Sequence, residues 1–185
     1  MNHLLVYHIA TIERHPMIHQ LSWYHDITAE SRAKQTIHNP SLTDILCRFT
    51  MLDSQKYPSL TLRLTSKRCP FLSIYGGPSG YAIWLSLGDQ NGNCGSGLIT
   101  YVNPETQNLP ATNYRTIGLT YPGCEIEERF FTADIALIRS LIEHFVDTGY
   151  WKTGVPFVFE RDDDDGIPRE YTQILGEPVE YPELY

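Results

Sequence analysis

The segment from Tyr57 to Leu87 constrains the fold most, because its residues alternate between buried and exposed types. In YPSLTLRLT, Leu60, Leu62 and Leu64 alternate with polar residues, which is typical of a strand with one buried side. Two further apolar segments, FLSIY and YAIWLSL, flank the sequence GGPSG, whose residue types favour a turn. The segment therefore predicts a strand followed by a hairpin.

Two other segments have the spacing of amphipathic helices. In NPSLTDILCRFTMLD, Ser41 is a predicted N-cap, and Asp44 follows three residues later, as in a capping box. In FFTADIALIRSLIEHFVDTG, Thr132 is the predicted N-cap and Gly149 the predicted end. The predicted buried stripe of this second helix consists of Ile135, Ile138, Leu141, Ile142 and Phe145.

Short apolar segments predict the remaining strands. They are LLVYHI, LITYV, YRTIGLTY, CEIEER and, as the last strand, VPFVFE. Clustered strands with helices between and after them predict an α+β fold, a mainly antiparallel sheet with helices packed on one face. We expect residues 1–185 to form a single domain, with an acidic C-terminal extension at about 161–185.

The negative charge is concentrated at the C-terminal end. The chain has a net charge of −8, and residues 160–185 hold nine acidic residues against two basic ones. Because nucleic-acid binding needs a basic surface, this balance argues against a nucleic-acid partner and leaves a basic protein partner open.

Several patterns bear on the cellular compartment. The four cysteines form no CxxC pair, so a zinc ribbon or thioredoxin-like motif is absent from the sequence. The N-terminal MNHLLVYHIA lacks the basic region of a signal peptide, and no segment approaches the ~18 apolar residues of a membrane helix. We expect a cytoplasmic chain with reduced thiols and no membrane contact.

The candidate metal sites are incomplete. His15 and His19 have the spacing of two ligands on a helix, but the glutamate of HExxH is missing and Pro16 breaks a helix there. DQNGNCG is similar to the start of a calcium loop, yet Cys94 stands at the glycine position and Thr100 at the position of the bidentate glutamate. We expect no metal and no cofactor.

Candidate catalytic groups do not assemble into a known pattern. Ser79 lacks the GxSxG elbow, because Tyr81 occupies the last glycine position. A pair of His144 with one of the cysteines is arithmetically possible, but a helix-boundary histidine is the simpler reading. Alternation in CEIEER places Glu125 and Glu127 on one strand face, which is most often solvated. We expect no catalytic residues and no enzyme activity.

Four consecutive aspartates follow the predicted last strand. Because neighbouring side chains point in different directions, a metal site is the weakest interpretation. A solvated loop and a contact with a basic partner both remain open, since four like charges repel each other and reduce folding stability. The run consists of Asp162, Asp163, Asp164 and Asp165, with Tyr171 close behind.

The order of these elements resembles the immunity protein one family of bacterial polymorphic-toxin systems. That family has a leucine-rich strand, a glycine-rich hairpin and a helix of the form A-x-x-x-L-x-x-F-x-x-x-G before a short final strand. The resemblance covers residues 41–160, with Phe159 where the family commonly has tryptophan. It is carried by FTMLDSQ, YPSLTLRL, FLSIYGGPSGYAIWLSL and ERFFTADIALIRSLIEHFVDTGYWKTGVPFVFE.

The resemblance implies a non-catalytic antitoxin that binds and blocks a cognate toxin domain, often a nucleic-acid deaminase or another nucleic-acid-directed enzyme. An acidic surface would steer association with a basic toxin cleft, and aromatic residues would slow dissociation. Two alternatives stay open, a small cytoplasmic enzyme of unrecognised type and an acidic protein-interaction adaptor. The predicted contact residues are Asp162, Asp163, Asp164, Asp165, Tyr171, Trp84 and Tyr75.

Overall fold

We describe the fold from a computed structural model of the protein. It describes residues 18–28, 31–64, 70–88, 94–110, 112–118, 124–162 and 168–173. Two α-helices lie among its strands, α1 (Leu42–Phe49) and α2 (Ile135–Thr148), and a short 3-10 helix covers Glu128–Phe130. The strands are β1 (Gln20–Thr28), β2 (Ser31–His38), β3 (Ser59–Arg63), β4 (Phe71–Gly77), β5 (Gly80–Gly88), β6 (Cys94–Tyr101), β7 (Tyr114–Ile117), β8 (Cys124–Glu127), β9 (Phe131–Thr132), β10 (Phe157–Asp162) and β11 (Pro168–Gln173).

One antiparallel sheet dominates the fold. Its strands follow the order β11-β10-β6-β5-β4-β3-β1-β2, and β9 pairs with β5 beside this path. β7 and β8 form a separate two-stranded sheet. The predicted α+β class with a mainly antiparallel sheet is therefore correct.

Both helices pack on one face of the large sheet. The main core joins apolar residues of α1 and α2 to alternate residues of the strands, such as Leu62, Ile83 and Ile99, which are all fully buried. Each such aliphatic side chain contributes roughly 1.5–3 kcal/mol by leaving water. The opposite face, which we call the back face, carries a second and smaller core beneath β7 and β8.

The helix ends show where local sequence decides the structure and where it does not. The capping box of α1 is present as predicted, with Asp44 N donating to Ser41 Oγ over 3.1 Å. The prediction of Thr132 as the N-cap of α2 is wrong. Asp134 is the cap, and its carboxylate accepts a hydrogen bond from Leu137 N at 2.9 Å. Thr132 instead pairs with β5 as part of β9 and accepts from Asp134 N.

The remaining predictions for α2 are confirmed in part. Gly149 ends the helix in the left-handed conformation, with φ of 79°, as predicted. Four of the five predicted stripe residues are buried, but Ile135 is 43% exposed in the first turn. In the first turn Leu137 packs against the main core, whereas Ile135 faces solvent.

The predicted turn GGPSG is shorter than its five residues suggest. β4 runs through Gly77 and β5 begins at Gly80, so only Pro78 and Ser79 lie between the strands. A Cβ at Gly77 would lie 2.7 Å from the carbonyl carbon of Asp53, which requires glycine at this position.

Two strand pairs were not predicted. The hairpin of β1 and β2 occupies a segment without clear periodicity, and β11 continues the sheet beyond β10. VPFVFE is therefore not the last strand, and β10 extends to Asp162. The predicted strand at residues 4–9 lies outside the described residues.

Candidate functional site

A groove lies on the back face, between the large sheet and the pair β7–β8. It has a volume of about 200 Å³. The large sheet contributes Trp84, Leu98 and Thr100, and the other side is lined by Tyr114, Glu125, Ile126, Glu127 and Phe130. We call this feature the back-face groove.

The second core holds β7–β8 against the sheet. Ile117 and Ile126 are 1% and 6% exposed, and they belong to the same buried cluster as Ala82 and Val158 of the sheet. The alternation in CEIEER explains this placement, because the apolar Ile126 is buried while Glu125 on its flank is exposed. The wall of the groove is thus fixed by the burial of two isoleucines.

Arg115 fastens the wall to the rest of the molecule. Its Nε and Nη2 donate to the two carboxylate oxygens of Glu128 over 3.0 and 2.7 Å, and Nη1 donates to the carbonyl oxygen of Ser79 at 3.0 Å. Its guanidinium also lies 4.2 Å from the centre of the Phe131 ring. A bidentate pair with a stacked ring restricts orientation strongly, so Arg115 links β7, the 3-10 helix and the turn between β4 and β5.

The carboxylates of the groove differ in their partners. Glu127 Oε2 accepts from Arg129 Nε over 2.6 Å, and the Arg129 guanidinium lies 4.6 Å from the centre of the Phe130 ring. Glu125 is exposed, and no ion pair joins it to another residue in the described part of the chain. Within the described residues, Glu125 is therefore a groove carboxylate without an ion-pair partner.

Aromatic rings form the apolar part of the site. Trp84 and Tyr75, both predicted as contact residues, stack with ring centres 4.2 Å apart and are half-buried on the back face. Both side chains pack against the second core, so core packing accounts for part of their burial. Tyr114 lines the groove and is 55% exposed.

Sequence reasoning missed Tyr114 and Phe130, and it treated Glu125 and Glu127 only as a solvated face. Their shared location depends on β7–β8 lying over the large sheet, which no local pattern specifies. The available signal was an aromatic residue at one end of each predicted strand segment, Tyr114 at the start of YRTI and Phe130 at the end of CEIEERF.

The acidic run begins close to this groove. The groove residue Leu98 pairs with Glu160 of β10, two residues before Asp162. Adjacent strands lie about 4.8 Å apart, so the end of β10 leaves the sheet near the groove. Asp162 pairs with Pro168 and Tyr171 pairs with Phe159, whereas Asp163, Asp164 and Asp165 lie outside the described residues.

The candidate metal sites are not assembled by the described residues. Among these residues, no group of three or more histidine, cysteine or acidic side chains could hold a metal ion. The His19 ring lies 5.7 Å from the His38 ring in an edge arrangement, and His15 lies outside the described ranges. In the described part of the chain, no helix is long and apolar enough to cross a membrane.

Comparisons with known proteins add little. No family model matches the chain, and no curated protein matches it. The chain is similar to a hypothetical protein from Neisseria gonorrhoeae whose crystal structure is known, with 18% sequence identity and a TM-score of 0.44. The similar region covers 69% of this chain and 85% of the other. A similarity at this level carries no argument about function.

Proposed function

We propose that this protein is an immunity protein, a non-catalytic antitoxin that acts in the cytoplasm. It binds a cognate bacterial toxin domain and blocks it without a cofactor. The proposed toxin is a nucleic-acid-directed enzyme such as a deaminase. The observation that carries the proposal is Trp84, which stacks on Tyr75 and lines the back-face groove, where the groove residue Leu98 pairs with Glu160 near the acidic end of β10.

The size of the groove supports contact with side chains of a protein. Pockets for small-molecule substrates and cofactors usually enclose roughly 300–1,000 Å³, whereas this groove has about 200 Å³. Half-buried tryptophan and tyrosine are the residue types that contribute most of the binding free energy in protein interfaces. A groove of this size suits one or two protruding side chains of a partner.

The charge distribution supports the same proposal. A toxin that acts on nucleic acid needs a basic cleft, because it must bind phosphates. Nine acidic residues lie between Glu160 and the C-terminal end of the sequence, and Glu160 itself pairs with the groove residue Leu98. Such complementarity raises the association rate and disfavours partners of the same charge.

Co-expression tests the proposal. If a neighbouring gene encodes a large secreted protein, its C-terminal domain would be expressed in a sensitive host, with and without this chain. We expect growth to be restored by the wild-type chain and restored poorly by Trp84→Ala. A wild-type chain that is produced and folded but leaves growth arrested would contradict an immunity function, and an adaptor role would then be favoured.

A further inference from the structure

The molecule repeatedly places a guanidinium group over an aromatic ring. Arg48 lies 4.3 Å from the Trp23 ring centre, Arg115 lies 4.2 Å from that of Phe131, and Arg129 lies 4.6 Å from that of Phe130. Two of these three arginines also bind a carboxylate, at 2.7 Å for Arg115 with Glu128 and at 2.6 Å for Arg129 with Glu127. Near the pair β7–β8, an aromatic ring with a carboxylate beside it therefore binds an arginine twice.

The back-face groove has the same parts. Trp84, Tyr114 and Phe130 supply rings, and Glu125 supplies a carboxylate that no described cation neutralises. Thr100, which is 4% exposed, adds a hydroxyl-bearing residue to the lining. The wall that carries Glu125 is held by Arg115, so these groups are organised before a partner arrives.

We propose that the back-face groove receives an arginine side chain of the toxin, with its guanidinium beside Trp84 and its charge balanced by Glu125. This inference rests on the proposed function and names the chemistry of its contact. Arginine fits better than lysine, because the planar guanidinium is weakly hydrated and stacks on rings, while an ammonium group is strongly hydrated. The negative charge of the neighbouring acidic run would favour the same cation.

A small arginine compound tests the groove without the toxin. The indole N–H signals of the 15N-labelled protein would be followed by NMR during titration with N-acetyl-argininamide. Trp23 and Trp151 are buried at 5% and 4% exposure, so Trp84 is the groove reporter. We expect its signal to shift in a saturable way, and to shift far less with N-acetyl-citrullinamide, which has the same shape without the charge.

Matched variants assign the effect to Glu125. We expect Glu125→Gln to weaken binding of N-acetyl-argininamide by about tenfold, since it removes a charged acceptor. Glu143→Gln is the control, because Glu143 is an acidic residue of α2, on the other face of the sheet. No shift of Trp84, an equal shift with the citrulline compound, or unchanged binding in Glu125→Gln would each overturn the proposal.

The two proposals fail in different ways. If co-expression restores growth but N-acetyl-argininamide does not bind, the immunity function stands and the arginine site is wrong. If the compound binds through Glu125 while the neighbouring toxin domain is not neutralised, the groove remains an arginine site and the immunity function is wrong.

Discussion

At the scale of single residues, the stacked pair of Trp84 and Tyr75 could be predicted only in part. Both lie in segments whose pattern predicts the hairpin, so their presence on adjacent strands follows from the sequence. Their position on the back face follows from the strand register, which places Ile74 and Ile83 in the main core instead. Tyr114 could not be assigned to the same site, because its location depends on tertiary packing of β7–β8.

Trp84→Ala is expected to weaken toxin binding by roughly 30-fold or more, which corresponds to the 2 kcal/mol or more typical of a central aromatic contact. Calorimetric titration of the purified toxin domain would measure the change. Tyr150→Ala is the control, because Tyr150 is 43% exposed but follows α2, away from the groove. Equal losses in the two variants would contradict a specific contact at Trp84.

Arg115→Ala is expected to lower the free energy of unfolding by about 1–2 kcal/mol. The variant leaves the Glu128 carboxylate and the Ser79 carbonyl without their donor, although partial exposure of the ion pair reduces the cost. Urea denaturation would measure the loss. In a double-mutant cycle with Glu128→Gln, a coupling energy near zero would argue against the described role of the pair.

Burial gives the protein a predicted sensitivity to alkaline conditions. Desolvation raises the pKa of the Tyr81 phenol above its ordinary value near 10. Between the ordinary and the raised pKa, the folded protein keeps a proton that the unfolded chain has released, so stability falls as pH rises. We expect Tyr81→Phe to lose less stability than wild type between about pH 9 and 11 in urea denaturation. An unchanged slope in Tyr81→Phe would contradict this.

At the scale of elements, prediction succeeded where the deciding contacts are local. The capping box of α1 joins residues three apart, and the hairpin of β4 and β5 has only two residues in its turn, so their sequences nearly determine them. The prediction of the α2 cap was wrong because Thr132 belongs to β9, where it pairs with Tyr81, about fifty residues away. The sequence did not predict β1, β2 and β11. These strands lie at or near the edges of the sheet, and their many polar residues obscure the alternation of apolar and polar residues that indicates a strand.

Ser41→Ala is expected to reduce the free energy of unfolding by about 1 kcal/mol through loss of the N-cap of α1. Thr43→Ala, one residue into the helix and outside the capping box, serves as the matched control. Thermal and urea unfolding of both variants would measure the difference. Equal stability of the two variants would show that the capping box does not contribute.

At the scale of the whole molecule, the acidic run begins close to the back-face groove, because β10 pairs with β6. The acidic run is visible in the sequence, but its proximity to the groove is not. That proximity depends on the pairing of β10 with β6, which joins residues about sixty positions apart. The structure places Glu160, two residues before the run, opposite Leu98 of the back-face groove. The run and the groove together form the surface proposed for the toxin.

Replacing Asp162, Asp163, Asp164 and Asp165 by asparagine is expected to slow association with the toxin and to flatten its dependence on salt. Electrostatic steering acts mainly on the association rate, so dissociation should change little. Stopped-flow measurements at several salt concentrations would separate the two rates. Unchanged association kinetics would exclude steering by the run.

Inhibition of the purified toxin by the purified chain tests the central claim most directly. A toxin domain that the chain protects against in the co-expression test would be assayed on nucleic acid while the chain is added in increasing amounts. We expect toxin activity to fall to zero near equimolar amounts of the wild-type chain, and the Trp84→Ala variant to require a large excess. Full toxin activity in the presence of a roughly tenfold excess of folded wild-type chain would contradict it.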